Sequence, residues 1–213
     1  MNKQAGIDVV WGSATNDRFA SYSAIPIPIY KGLIGWRMAL VKTDRLEQFS
    51  SVKSLADLRQ YIPGQHQNWS DYKIYRANDL TVTSGVNRDA LAQMLMLERF
   101  DYFPRAVIEM KKELRDFAHL DLALEPYVLI RYKSAYIFYV AKNNESLKNK
   151  LEIGLQSALR DGSFDALFKR YFAKELATFK LGSRTVIELS NPLLPKQMLD
   201  IHPSMWISPT AFK

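Results

Sequence analysis

The side chains of this chain that could do chemistry suit holding a molecule better than transforming one. Its 213 residues include no cysteine, which excludes disulfides, thiolate nucleophiles and thiolate metal sites. The three histidines, His66, His119 and His202, lie too far apart in sequence for metal-ligand spacing. Asp101 and Glu109 make only a superficial carboxylate pair, because their spacing fixes no catalytic separation and no nucleophile adjoins them. The polar loop 12–18, reading Gly-Ser-Ala-Thr-Asn-Asp-Arg, offers the hydroxyls of Ser13 and Thr15 as ligand donors, although a turn or helix-cap role suits them equally. Trp69 lies in a polar segment and is the best aromatic candidate for a binding cleft, whereas Trp11 and Trp36 read as core residues. No enzyme, cofactor or metal is expected.

The elements that must position these residues follow from hydrophobic period and turn chemistry. Residues 7–11 read as a short buried strand feeding the 12–18 loop, and open α/β sheets place ligands at such loops. Residues 23–30 alternate with prolines, which suits an edge or an extended connector. Residues 33–42 read as a strand with a bulge or close approach at Gly35. Ser54 and Asp57 form a capping box for a short helix. Residues 73–75 read as a short strand, 87–98 as a helix, 100–103 as a strand, and Pro104 as the first residue of a helix. Two strand-like pieces within 120–130 are split by Glu125 and Pro126.

Residues 136–141 form an apolar run. It leads through Asn143 or Asn144, either of which can cap, into a helix with Leu147, Leu151, Leu155, Ala158 and Leu159 on one face. Asp161-Gly162-Ser163 stops that helix. The next one turns Phe164, Leu167, Phe168, Tyr171 and Phe172 toward a core. Thr185 to Leu189 is one more short apolar run, and the proline-rich tail packs through Leu193, Leu194, Met198 and Trp206. Strands alternating with helices favour an α/β fold with largely parallel sheets.

Composition narrows the partners. The formal charge is +7, from 29 basic and 22 acidic side chains, but the basic residues are scattered and no dense tract interleaves with aromatics, so nucleic acid is not an expected partner. Hydrophobic residues make up 47% of the chain, enough for a real core, and no segment approaches the roughly 20 apolar residues of a membrane span. The first residues lack the apolar stretch of a secretory signal.

The runs Tyr136 to Lys142, Asp161-Gly162-Ser163-Phe164 and Phe168 to Phe172 resemble the closing segment of the family 3 extracellular solute-binding proteins, the bilobal receptors of amino-acid ABC transporters. Asp8 to Arg18 is similar to that family's strand and Thr-x-x-Arg loop, and Leu55 to Leu58 and Arg99 to Phe103 are similar to two landmarks of its second lobe. The tail resembles an atypical proteobacterial branch. The resemblance implies a periplasmic-binding-protein-like type II fold with two lobes. Residues 1–40 and 136–180 form a discontinuous, N-terminally incomplete first lobe, 41–135 the second, and 181–213 a tail on the body.

It further implies that Arg18 holds a ligand carboxylate in its planar fork, with Ser13 and Thr15 beside it and Arg105, Gln65, Asn68 and Trp69 contributed from the second lobe. The acidic residue that standard receptors use for a ligand ammonium is missing near Pro104, Arg105 and Ala106; Glu109 stands ready to pair with Arg105. The expected function is non-enzymatic binding of a small polar, anionic or amino-acid-like solute, in the periplasm, for an ABC transporter permease. The competing expectation is a truncated or domain-swapped interaction protein, a homodimer completing lobe one and binding no solute.

Overall fold

A computed structural model describes residues 6–207; residues 1–5 and 208–213, with Pro209, lie outside the described residues. The chain opens with strand β1 (Val9–Ser13), helix α1 (Asn16–Ser21) and strand β2 (Ser23–Ile25). Strand β3 (Trp36–Lys42), helix α2 (Leu55–Leu58), strand β4 (Gly64–His66), helix α3 (Ser70–Ala77) and strand β5 (Thr83–Gly85) follow. Next come helix α4 (Arg88–Met96), strand β6 (Phe103–Ala106), helix α5 (Met110–Asp116) and strands β7 (Leu122–Leu124), β8 (Val128–Arg131) and β9 (Tyr136–Val140). Helices α6 (Glu145–Arg160) and α7 (Ser163–Thr178) precede strand β10 (Thr185–Glu188).

Two main sheets organise these elements. The first has the order β1-β9-β2, both pairings antiparallel, with Trp11 opposite Phe138 and Ala24 opposite Tyr139. Its central strand alternates as a two-sided strand must. Ile137 and Tyr139 pack with Ala14, Leu194 and Met198, so the tail covers that face. Phe138 and Val140 pack with Leu147, Leu151, Leu155 and Leu159 of α6.

The second sheet has the order β10-β8-β3-β6, with β7 also on β3. Strand β3 is buried on both faces, because Trp36, Met38 and Leu40 face α4, α5 and α7 while Ala39 and Val41 face the cluster that contains Ile74 and Tyr75 of α3. Gly35 leads into it where a Cβ would stand 2.1 Å from the carbonyl oxygen of Tyr132, which is the close approach that glycine permits.

Several expectations need correction. The sheets are mixed rather than largely parallel: β8 with β10 and β4 with β5 are the parallel strand pairs among the described residues. Lys73 to Tyr75 is helical, inside α3. The buried side of that helix is Asp71, Ile74, Tyr75 and Asn78, a helical spacing half composed of polar residues, so an apolar pattern search does not register it. Pro104 sits in β6, opposite Ala39, and the helix begins at Met110; β6 ends the strand order, where a missing N–H is tolerated. Trp11 is 61% exposed, not a core residue. Leu167 and Tyr171 point away from the core that Phe168 and Leu176 enter.

Candidate functional site

The loop that leaves β1 turns directly into α1. Thr15 caps the helix by accepting the Arg18 N–H on Oγ1 at 3.4 Å, which uses the hydroxyl in the structural way open to it. One turn on, the Arg18 side chain folds back over β1 and its Nη1 donates to the Ser13 carbonyl oxygen at 3.0 Å. The Tyr139 hydroxyl donates to the same oxygen at 3.0 Å. Burial raises the Tyr139 pKa to about 12 against the opposing pull of Arg18, so its hydroxyl stays a donor at neutral pH. Gly12 makes room for the guanidinium: a Cβ there would lie 2.5 Å from Nη1.

Across a cavity of about 380 Å³ stands the segment that leads into α3. His66 accepts the Asn68 N–H on Nδ1 at 3.0 Å, and its carbonyl accepts the Trp69 N–H at 2.9 Å, so the turn is held from within. Trp69 is the N-cap of α3 and supplies no capping side chain, and Trp69, Ser70 and Lys73 of this first turn line the cavity. The Trp69 ring lies parallel to Phe103 at 6.4 Å, and the Arg105 guanidinium carbon sits 4.6 Å from the Trp69 ring centre.

Four of the seven residues expected to bind a ligand line this cavity together: Thr15 and Arg18 on one wall, Asn68 and Trp69 on the other. Ser13 stands behind Arg18 and acts through its carbonyl, not its hydroxyl. Arg105 is buried on β6, not solvated on a helical turn. Its Nε meets Glu113 at 2.8 Å and its Nη2 meets Glu109 at 3.2 Å, so it supports Trp69 from behind. Gln65 is fully buried with neither amide atom hydrogen-bonded, and it does not line the cavity. Tyr102 is core, packed on Phe49.

The structure adds Asn16, Asp17, Gln67, Ser70 and Lys73 to the walls, and the Leu193 carbonyl accepts the Asn16 N–H at 3.2 Å where the tail closes one end. Asp17 and Gln67 were findable as neighbours of named candidates. Lys73 was hidden by the strand reading of its segment, since only a helix brings it one turn after Trp69. Arg18 and Lys73 against Asp17 give the cavity two cations and one anion, a set able to hold a carboxylate and, beside it, an ammonium group. Among the described residues no cluster of histidine and acidic side chains could hold a metal, and no helix is long and apolar enough to cross a membrane.

No protein-family model and no curated protein sequence matches this chain. Solved structures do. An ancestral arginine-binding protein bound to arginine is 20% identical with a TM-score of 0.56, over 78% of this chain and 72% of that one. An amino-acid ABC transporter substrate-binding protein from Streptococcus pneumoniae, bound to L-arginine, is 20% identical with a TM-score of 0.55, over 79% and 69%. A histidine kinase sensor domain with similarity to periplasmic binding proteins is 15% identical with a TM-score of 0.54, over 78% and 70%. At these identities the likeness speaks to architecture, and the chain has the periplasmic-binding-protein-like type II fold.

Proposed function

We propose that this protein binds a small polar solute bearing a carboxylate, anionic or amino-acid-like, between two lobes that close on it. The lobes are the β1-β9-β2 sheet with α1 and α6, and the sheet built on β3 with α2 to α5. The observation that carries the reading is the Arg18 guanidinium, tethered to Ser13 and seated over Gly12, on the wall opposite the uncapped start of α3. A carboxylate between them would take charge-assisted hydrogen bonds from both sides. Trp69 would cover the rest of the solute, and Asp17 would take an ammonium group if one is present. The solved structures of this fold include transporter substrate-binding proteins, which supports a role outside the cytoplasm delivering solute to an ABC transporter permease.

A second reading rests on β1, the edge of its sheet, where Val10 is 38% and Trp11 61% exposed. An edge strand with exposed apolar side chains favours pairing with another chain. Thermal unfolding against a panel of amino acids, dicarboxylates and other small anions separates the two. A ligand that binds only the folded state stabilises it by about 2.7 kcal/mol at a hundredfold excess over Kd. A saturable rise in Tm that Arg18→Ala abolishes is the expected outcome. No rise across the panel, together with concentration-dependent dimerisation, would favour assembly through β1.

A further inference from the structure

A second concavity lies on α5 and α7 and shares no lining residue with the cleft. It measures about 450 Å³, and its lining includes Lys111 and Leu114 from α5 and Arg170, Tyr171, Lys174 and Phe179 from α7 and its end. Helix α7 buries Phe168 and Leu176 on its inner side. Its outer side carries a second apolar strip, with Leu167 54% and Tyr171 64% exposed, four positions apart and so on one face. Leu167 extends this exposed face one turn beyond the groove's own lining, roughly 6 Å at the helical rise. Among the described residues neither Lys111 nor Lys174 forms an ion pair, and the Arg170 guanidinium carbon lies 5.9 Å from the Tyr171 ring centre.

We infer that this groove docks an acidic amphipathic helix of a partner protein. Three cations and one carboxylate, Glu175, border a floor of Leu114, Tyr171 and Phe179, so the net positive charge favours an occupant with apolar side chains at helical spacing and Asp or Glu beside them. A second copy of this chain using the same face would set Lys111, Arg170 and Lys174 against themselves. An anionic bilayer would reach Tyr171 and Leu167, but not Leu114, which is half-buried, or Phe179, which is buried. A helix seated in the concavity would present side chains to Leu114 as well as to Tyr171.

The test uses the full chain and a fluorescently labelled, helix-constrained synthetic peptide carrying leucines at positions i, i+4 and i+7 with flanking glutamates. A second peptide has lysines in place of the glutamates. The acidic peptide is expected to bind with salt-sensitive affinity, and Tyr171→Ala to weaken it by about tenfold. The double substitution Arg170→Glu with Lys174→Glu is expected to abolish that binding, leave the thermal midpoint unchanged and confer affinity for the lysine peptide. Equal binding of both peptides to the unaltered protein, or acidic-peptide binding that survives the charge reversal, would overturn the inference. So would capture of the protein by phosphatidylglycerol vesicles, or a Tyr171-dependent dimer, without peptide binding. None of these outcomes depends on the solute cleft.

Discussion

Gly12 and Arg18 work as a pair, because the missing Cβ of one is the seat of the other's guanidinium. Gly12→Ala would push a flexible, exposed side chain off its seat without disturbing the core. It is expected to weaken solute binding by about tenfold, read by titration calorimetry, while shifting Tm little, because the nearest atoms an added Cβ would meet belong to the Arg18 side chain. The Arg37 guanidinium is the opposite case. It is buried on β3, donates from Nε to the Tyr132 hydroxyl at 2.8 Å and meets Asp71 at 2.8 Å, while the Tyr132 hydroxyl donates to Asp71. Burial opposes its charge, but Asp71, Tyr132 and Glu109 outweigh that and raise its pKa. Asp71→Ala would leave this charge buried without its close carboxylate and is expected to cost about 3–5 kcal/mol in urea denaturation. Arg18 was named through the resemblance of its Thr-x-x-Arg loop, whereas the supporting places of Ser13, Gly12 and Arg105 depend on contacts between distant segments.

Local signals read well at the level of elements. Ser54 and Asp57 form the full capping box, Asn144 caps α6 by accepting the Leu147 N–H, and Gly162 ends the turn before α7 in the left-handed region at φ 79°. Elements whose faces are set by distant partners read poorly: α3 buries Asp71 and Asn78, and β6 holds Pro104 only because it lies at an edge. Packing of α5 on α4 is tied by charge. Asp116, at the end of α5, accepts from Arg88 Nη1 at 2.8 Å and from Lys112, and these two hold its carboxyl at about 2. A depressed carboxyl stabilises the fold above its unfolded value, near ~3.9, and the contribution is lost as pH falls through the folded value. Asp116→Asn is therefore expected to lower Tm at neutral pH, with the gap from the unaltered protein closing as pH drops from about 4 toward 2. A gap unchanged across that range would remove the ion pairs from the account.

For the whole molecule, the α/β class and the order of most elements were legible, while the mixed direction of the sheets was not, because strand partners far apart in sequence leave no local trace. Of the cavity's lining, Thr15, Arg18, Asn68 and Trp69 had been named as ligand candidates, and Lys73 emerged only with α3. The central claim is that the wall carrying α1 and the wall carrying α3 close on a bound solute. The chain has no cysteine, so Ser21→Cys and Ala77→Cys place one spin label on the exposed end of each helix and nowhere else. Pulsed electron paramagnetic resonance then reads the distance between them. A solute giving the Arg18-dependent rise in Tm is expected to shorten and narrow that distance distribution, and Arg18→Ala to abolish the change. A distribution that stays the same at saturating solute would contradict closure and, with it, the receptor reading of this fold.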